Sequence, residues 1–189
     1  MKDKFFGELD TYLFHHGTHY KLYERMGAHL RTVNGVSGVH FVLWAPNARA
    51  VCVVSDGNGW TPWRDNMEKT DDSIWELFVP GMCEGVKYKY LIVRADGSEV
   101  QKVDPYAFRG ELRPNNASVV ANLDRYEWGD GEFIGNRKGV NFLEKPMAVY
   151  EVHLGSWKKD LAKGDEDRFL GYRRLAHELC EYVKWMGYT

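Results

Sequence analysis

The chain has 189 residues, enough for one ordinary domain or one small domain with appendages. With 25 Lys and Arg against 27 Asp and Glu, the formal net charge is -2, which excludes a general electrostatic pull on nucleic acid or an anionic membrane. Apolar residues reach 44%, sufficient for a core, yet mean hydropathy is -0.49 and no run of about 18 apolar residues predicts a transmembrane helix. Aromatic residues stand out at 14%, with 7 Trp and 11 Tyr.

The segment from Met1 to about Arg31 reads as a polar, aromatic leader. Tyr20 to Met26 predicts one or two helical turns ending at Gly27, a favourable residue just past a helix end. No apolar stretch of signal-peptide type follows Met1, so a reducing, cytoplasmic setting is expected. Residues 32–123 read as short strands with Gly, Pro, Asn and Asp between them. The runs are Gly38–Trp44, Ala50–Val54, Ser73–Val79, Lys87–Val93, Glu99–Val103 and Ala117–Val120, with a hairpin turn at Asp96-Gly97. The expected fold is an antiparallel β-sandwich of about 90 residues. Alternation sets Lys87, Lys89 and Leu91 on one face, with Tyr88, Tyr90 and Ile92 on the other.

Residues 124–145 read as a linker, Gly-rich around Trp128-Gly129-Asp130-Gly131. In 146–189, the apolar run Pro146–His153 predicts a strand and the spacing of Tyr172, Leu175, Ala176, Leu179, Tyr182, Val183 and Met186 predicts a helix ended by Gly187. Strand, loop and amphipathic helix make one βα unit, which cannot bury its own strand. The chain therefore reads as the front part of a longer α/β protein.

The three cysteines, Cys52, Cys83 and Cys180, show neither disulfide nor zinc spacing, and Cys52 reads as a small buried hydrophobe. His15 and His19 have i,i+4 spacing, but Gly17 weakens a helix there and a solvated or structural role is favoured over a metal site. Glu151 and His153 share a face of the late strand, where a polar lining is favoured over an acid–base pair. The charged run Lys158–Arg168 reads as a solvated loop.

Trp44 and Trp75 fall inside strand patterns and are expected in the core. Trp60 and Trp63 sit in Asp56-Gly57-Asn58-Gly59-Trp60-Thr61-Pro62-Trp63, a loop with no alternation to bury them. A flat indole there suits stacking on a pyranose ring, with Asn58, Asp65 or a lysine bonding its hydroxyls, and it suits equally a cover for a sheet edge. Trp63, beside Pro62, is the more structural of the two.

Several motifs occur in a telling order. Phe14-His15-His16-Gly17-Thr18-His19-Tyr20-Lys21-Leu22-Tyr23, followed by Met26-Gly27-Ala28-His29, resembles the segment that precedes the binding module in bacterial glycogen branching enzymes. Phe41–Ala48 resembles the opening strand of their immunoglobulin-like glycogen-binding module, and Gly85–Tyr90 resembles its central hairpin strand. Asp104–Phe108 and Arg113–Ser118 are similar to the end of that module, and Tyr150–Trp157 is similar to the first strand of the family's (β/α)₈ catalytic barrel.

The resemblance implies a mostly β protein: an immunoglobulin-like antiparallel sandwich followed by the first βα unit of a truncated (β/α)₈ barrel. It implies a 1,4-α-glucan branching enzyme of the α-amylase superfamily, which makes α-1,6 branches in glycogen biosynthesis by a retaining two-carboxylate scheme. Its expected partners are α-1,4-glucan and its own barrel, with no nucleic acid, membrane, metal or cofactor. No catalytic residue is carried over onto this chain, and the chain alone is expected to be inactive. The glucan-binding residues implied are Trp60, Lys89, Asn58, Trp63 and, near the last strand, Asn116 or its neighbour Asn115. Ser98 and Glu99 occupy the place of a second stacking Trp, so binding is expected to be weak, with a dissociation constant nearer the millimolar than the micromolar range. Alternatives are a debranching or trehalose-releasing hydrolase of the same superfamily, disfavoured by the Phe14–His29 segment, and a non-catalytic glucan-binding or interaction module, disfavoured by the late βα unit.

Overall fold

Alternation of apolar and polar residues builds the first half of the molecule. A computed structural model describes residues 5–70, 73–164 and 168–189. Ten strands form there: β1 (Gly27–Val33), β2 (Val36–Trp44), β3 (Ala50–Ser55), β4 (Asp65–Asn66), β5 (Glu68–Lys69), β6 (Ile74–Pro80), β7 (Lys87–Val93), β8 (Glu99–Lys102), β9 (Arg109–Gly110) and β10 (Ser118–Val119). Sheet 1 has the order β1-β2-β6-β5, and sheet 2 the order β4-β3-β7-β10-β9, with β8 also paired to β7. All pairings are antiparallel.

The expected sandwich is present. Val39, Phe41, Leu43 and Trp75 of sheet 1 meet Val51, Val53, Tyr88 and Tyr90 of sheet 2 in one buried cluster. The period-2 pattern sends their neighbours outward. Tyr88 and Tyr90 both donate to the buried Asp104 carboxylate, at 2.6 and 3.1 Å. Asp104 in turn accepts from the Tyr106 backbone N–H at 2.8 Å. Burial pushes the Asp104 carboxyl up, partly offset by these hydrogen bonds.

Three expectations fail in this half. The turns read between Tyr20 and Gly27 shrink to a 3₁₀ turn at Leu22–Glu24, and a helix α1 forms earlier, at Glu8–His15. Gly27 starts a strand instead of ending a helix, with φ of 95° and only 3.0 Å between a built Cβ and the Tyr106 carbonyl. Trp44 is 52% exposed, because it ends β2 on the outward side and meets Phe14 edge-on. Trp75 is buried as expected.

The leader covers the outer face of sheet 1. Phe6 and Met26 are buried with Val42 and Ile74, beside Phe14 and Leu22. Two carboxylates fasten it. Glu76 Oε2 accepts from the Phe5 backbone N–H at 3.1 Å and bonds His40 Nε2 at 2.9 Å. Asp10 accepts from the Gly7 backbone N–H, bonds His19 Nε2 at 2.8 Å and lies 3.4 Å from Arg25 Nε.

Contacts divide the chain between Glu127 and Trp128 into two units. The second unit contains α2 (Gly131–Arg137), a 3₁₀ turn at Phe142–Glu144, α3 (Leu154–Trp157) and α4 (Tyr172–Met186). The late helix is as expected, closed by Gly187 at φ 82°. The strand expected over Pro146–His153 does not form. A strand exists through its ladder partner, and the described residues of the unit build no ladder on this run: Ala148 exchanges hydrogen bonds with Thr189, its carbonyl accepting from the Thr189 N–H at 3.3 Å and its N–H donating to the Thr189 hydroxyl at 3.0 Å. Tyr150 instead packs on Tyr182 and Tyr188 and accepts from Trp157 Nε1 at 3.1 Å. Glu151 is exposed, and His153 bonds the Ser156 hydroxyl, so the shared strand face read for this pair is absent. The charged loop, partly outside the described residues, is tied down where it is seen: Arg174 bridges Asp160 and Glu178.

Candidate functional site

The outward face of sheet 2 brings three of the five expected site residues, Trp60, Lys89 and Asn116, to one side of the sandwich. Register places Val54 opposite Lys89 and Cys52 opposite Leu91, so all four point the same way. Cys52, Val54 and Leu91 form a small buried cluster, and Trp60 packs on it. A polar β7 position, Lys89, thus lies beside an aromatic side chain that arrives from the loop after β3.

That loop is held rigidly. Asp56–Asn58 form a 3₁₀ turn, followed by Gly59 at φ 65° and Trp60 at φ 57°. Left-handed backbone is ordinary for glycine and costly for a bulky residue. Compensation comes from Trp60 Nε1, which donates to Asp56 Oδ1 at 2.8 Å, and from the Trp60 backbone N–H, which donates to the Ser55 carbonyl at 2.8 Å. Trp63 repeats the conformation at φ 61°, is 37% exposed, and donates its backbone N–H to Cys52 Sγ at 3.3 Å. Burial pushes the Cys52 thiol up, in keeping with a structural role.

Asn58 does something other than face a ligand. It is 4% exposed, and its amide is fully engaged within the loop. Oδ1 accepts from the Ser55 backbone N–H at 3.0 Å, while Nδ2 donates to the Val53 carbonyl at 2.9 Å and to Asp65 Oδ2 at 2.8 Å. Asn58 staples the loop that presents Trp60.

On the other flank, β10 brings its preceding loop against β7. Lys89 Nζ donates to Asn116 Oδ1 at 2.6 Å. Lys87, two residues earlier, is committed to Glu111 at 2.8 Å. An open cavity of about 690 Å³ lies along Gly110–Ala117, lined by Glu111, Arg113, Pro114, Asn115 and Asn116. Sequence reasoning missed Asp56, which fastens both the Trp60 indole and the Lys87 backbone N–H; its place two residues before Asn58 was the available signal. Ser98 donates to Asp96 within the hairpin turn through its backbone N–H and its hydroxyl, so no ring stands there as a second platform.

A half-buried indole on this face of the sheet, together with an ammonium and an amide, suits a neutral polyhydroxylated ring: stacking for its C–H face, donors and acceptors for its hydroxyls. Residues 25–107 match Carbohydrate-binding module 48 (Isoamylase N-terminal domain). Trp60 and Lys89 lie inside the matched module, and Asn116 lies just beyond it.

Similarity extends past the module on both sides. The chain is 49% identical over 185 residues to the 1,4-alpha-glucan branching enzyme GlgB of Protochlamydia amoebophila, covering 97% of this chain and 25% of that protein. It is 48% identical to the enzyme of the same name from Gloeobacter violaceus, covering 96% and 25%, and 42% identical to that of Clostridium perfringens, covering 100% and 28%. The chain thus spans about a quarter of the length of these relatives. A solved structure of a candidate alpha amylase from Salmonella typhimurium shares the fold, with a TM-score of 0.59 and 24% identity over 87% of this chain and 23% of that one. Among the described residues, no helix is long and apolar enough to cross a membrane, and no group of His, Cys, Asp and Glu is placed to hold a metal ion.

Proposed function

We propose that the chain is the leading section of a cytoplasmic 1,4-α-glucan branching enzyme. Its immunoglobulin-like module holds α-1,4-linked glucan weakly and orients the catalytic barrel toward it. One observation carries the reading: 42–49% identity along essentially the whole chain, leader and second unit included, to enzymes of that name. A free-standing module would share only the sandwich.

In this reading the Trp60 indole stacks on a glucosyl ring, the Lys89 ammonium and the Asn116 amide bond its hydroxyls, and Trp63 borders the same loop. Asn58 and Asp56 act as positioning residues, because their polar atoms hold the loop. With a single stacking face at Trp60, the dissociation constant for maltoheptaose is on the order of millimolar. Bond cleavage and transfer belong to carboxylates outside this chain, following the retaining scheme with an acceptor sugar in place of water.

Titration with maltoheptaose, followed by tryptophan fluorescence, tests the binding. A saturable change that disappears in Trp60→Ala supports the site. An identical response in Trp60→Ala contradicts it.

A further inference from the structure

A second cleft lies away from Trp60. It has a volume of about 470 Å³ and opens between the edge strand β1 and the segment that follows β10. This is within the roughly 300–1,000 Å³ of small-ligand sites. The leader supplies Tyr23 and Glu24, β1 supplies Ala28, His29 and Leu30, and Phe108, Leu123 and Asp124 close the far side. The leader residues are held in place from outside the cleft, since Arg25, next in sequence, pairs with Asp10, and Asp10 is bonded to His19.

The lining has a definite chemical bias. None of its residues is Lys or Arg. It offers acceptors instead: the Glu24 carboxylate, whose Oε1 lies 3.4 Å from both the Tyr23 hydroxyl and the exposed Lys21 ammonium outside the lining, the Asp124 carboxylate, and one nitrogen of His29. His29 Nε2 lies 2.9 Å from the Met26 carbonyl, which can only accept, so Nε2 carries the proton and Nδ1 is left as an acceptor. Burial holds the His29 pKa below its ordinary value, which keeps the ring neutral near pH 7. Tyr23 is 48% exposed, and the Phe108 ring meets His29 edge-on at 5.7 Å.

A lining of acceptors whose nearest ammonium, Lys21, is already paired with Glu24 disfavours anionic ligands such as phosphorylated sugars, and among the described residues no cluster could hold a metal. A neutral ligand rich in hydroxyl donors, with apolar faces for the aromatic rings, fits this lining. We infer that the cleft is a second carbohydrate site, in which Tyr23 stacks on a glucosyl ring while Glu24, Asp124 and His29 accept hydrogen bonds from its hydroxyls. The leader then has a binding role, because it builds one wall. The inference rests on the glucan reading for the identity of the sugar and on different residues for the binding.

Amide NMR spectra of the full 189-residue chain, titrated with maltoheptaose, separate the two sites. Expected are shifts at Glu24, His29, Asn122 and Asp124 that persist in Trp60→Ala, weaken about tenfold in Tyr23→Ala, and weaken several-fold in Asp124→Asn. Retained dispersion of the remaining resonances shows that each variant is folded. Shifts confined to residues around Trp60 and Lys89 overturn the second site and leave the first standing. Shifts confined to the cleft overturn the first and support the second, and no shifts at all overturn both. Equal shifts at the cleft with glucose 6-phosphate overturn the proposed preference for a neutral ligand.

Discussion

Lys89 and Asn116 are 27 residues apart in sequence, yet the Lys89 ammonium donates to the Asn116 side-chain oxygen at 2.6 Å. The contact exists because β10 pairs with β7, with Ser118 opposite Tyr88. It is an exposed contact, so it adds little to stability. Its effect is to hold a cation and an amide side by side next to the Trp60 loop. Lys89→Ala and Asn116→Ala should each change unfolding free energy by less than about 0.5 kcal/mol and weaken maltoheptaose binding about fivefold. Urea unfolding and calorimetric titration check the two quantities separately.

Asn58 should behave in the opposite way. Asn58→Ala leaves the Ser55 N–H and the Val53 carbonyl without their side-chain partner in a buried loop. A loss of about 1–3 kcal/mol in unfolding free energy is expected. Binding should fall as well, since the loop presents Trp60. Unchanged stability would contradict the positioning role.

Trp60 separates function from backbone cost. At φ 57° an alanine keeps the left-handed strain and a glycine relieves it. Both Trp60→Ala and Trp60→Gly should lose binding, and Trp60→Gly should be the more stable of the two by about 1 kcal/mol. Thermal unfolding of the pair decides this.

Acid should loosen the leader. Burial alone would raise the Glu76 pKa, but hydrogen bonds from His40 and the Phe5 N–H outweigh it and hold the carboxyl below its ordinary value of 4.5. A depressed pKa in the folded state means stability that is present above that value and is lost as pH falls through the lower, folded one. Asp10 works in the same direction, and Asp104, whose pKa is raised, works in the other. Glu76→Gln should therefore be destabilised at pH 7 and show a shallower loss of stability below about pH 4.5. Urea unfolding across pH 3–7, on the order of a few points per unit, measures the slope.

Strand alternation made β2, β3, β6 and β7 readable, because each has one face in a single core, and the Asp96-Gly97 turn made the exposed β8 readable. β1 was not readable: Gly27 looks like a helix stop, and the His29 and Arg31 of its sequence hide a strand whose outer face is covered by the leader. Trp44 looked like core because a pattern cannot say which side a strand's last residue takes. Pro146–His153 has a strand's composition without a partner to pair with. For the site, Trp60 stood out because a Gly-rich loop gave it no reason to be buried. The inward turn of Asn58 and the Lys89–Asn116 contact depend on long-range geometry that spacing does not encode.

A structure of the chain with maltoheptaose tests the central claim most directly. Sugar density stacked on the Trp60 ring, with hydroxyls within hydrogen-bond reach of Lys89 and Asn116, is the expected result. Density that avoids Trp60 at saturating sugar would contradict it.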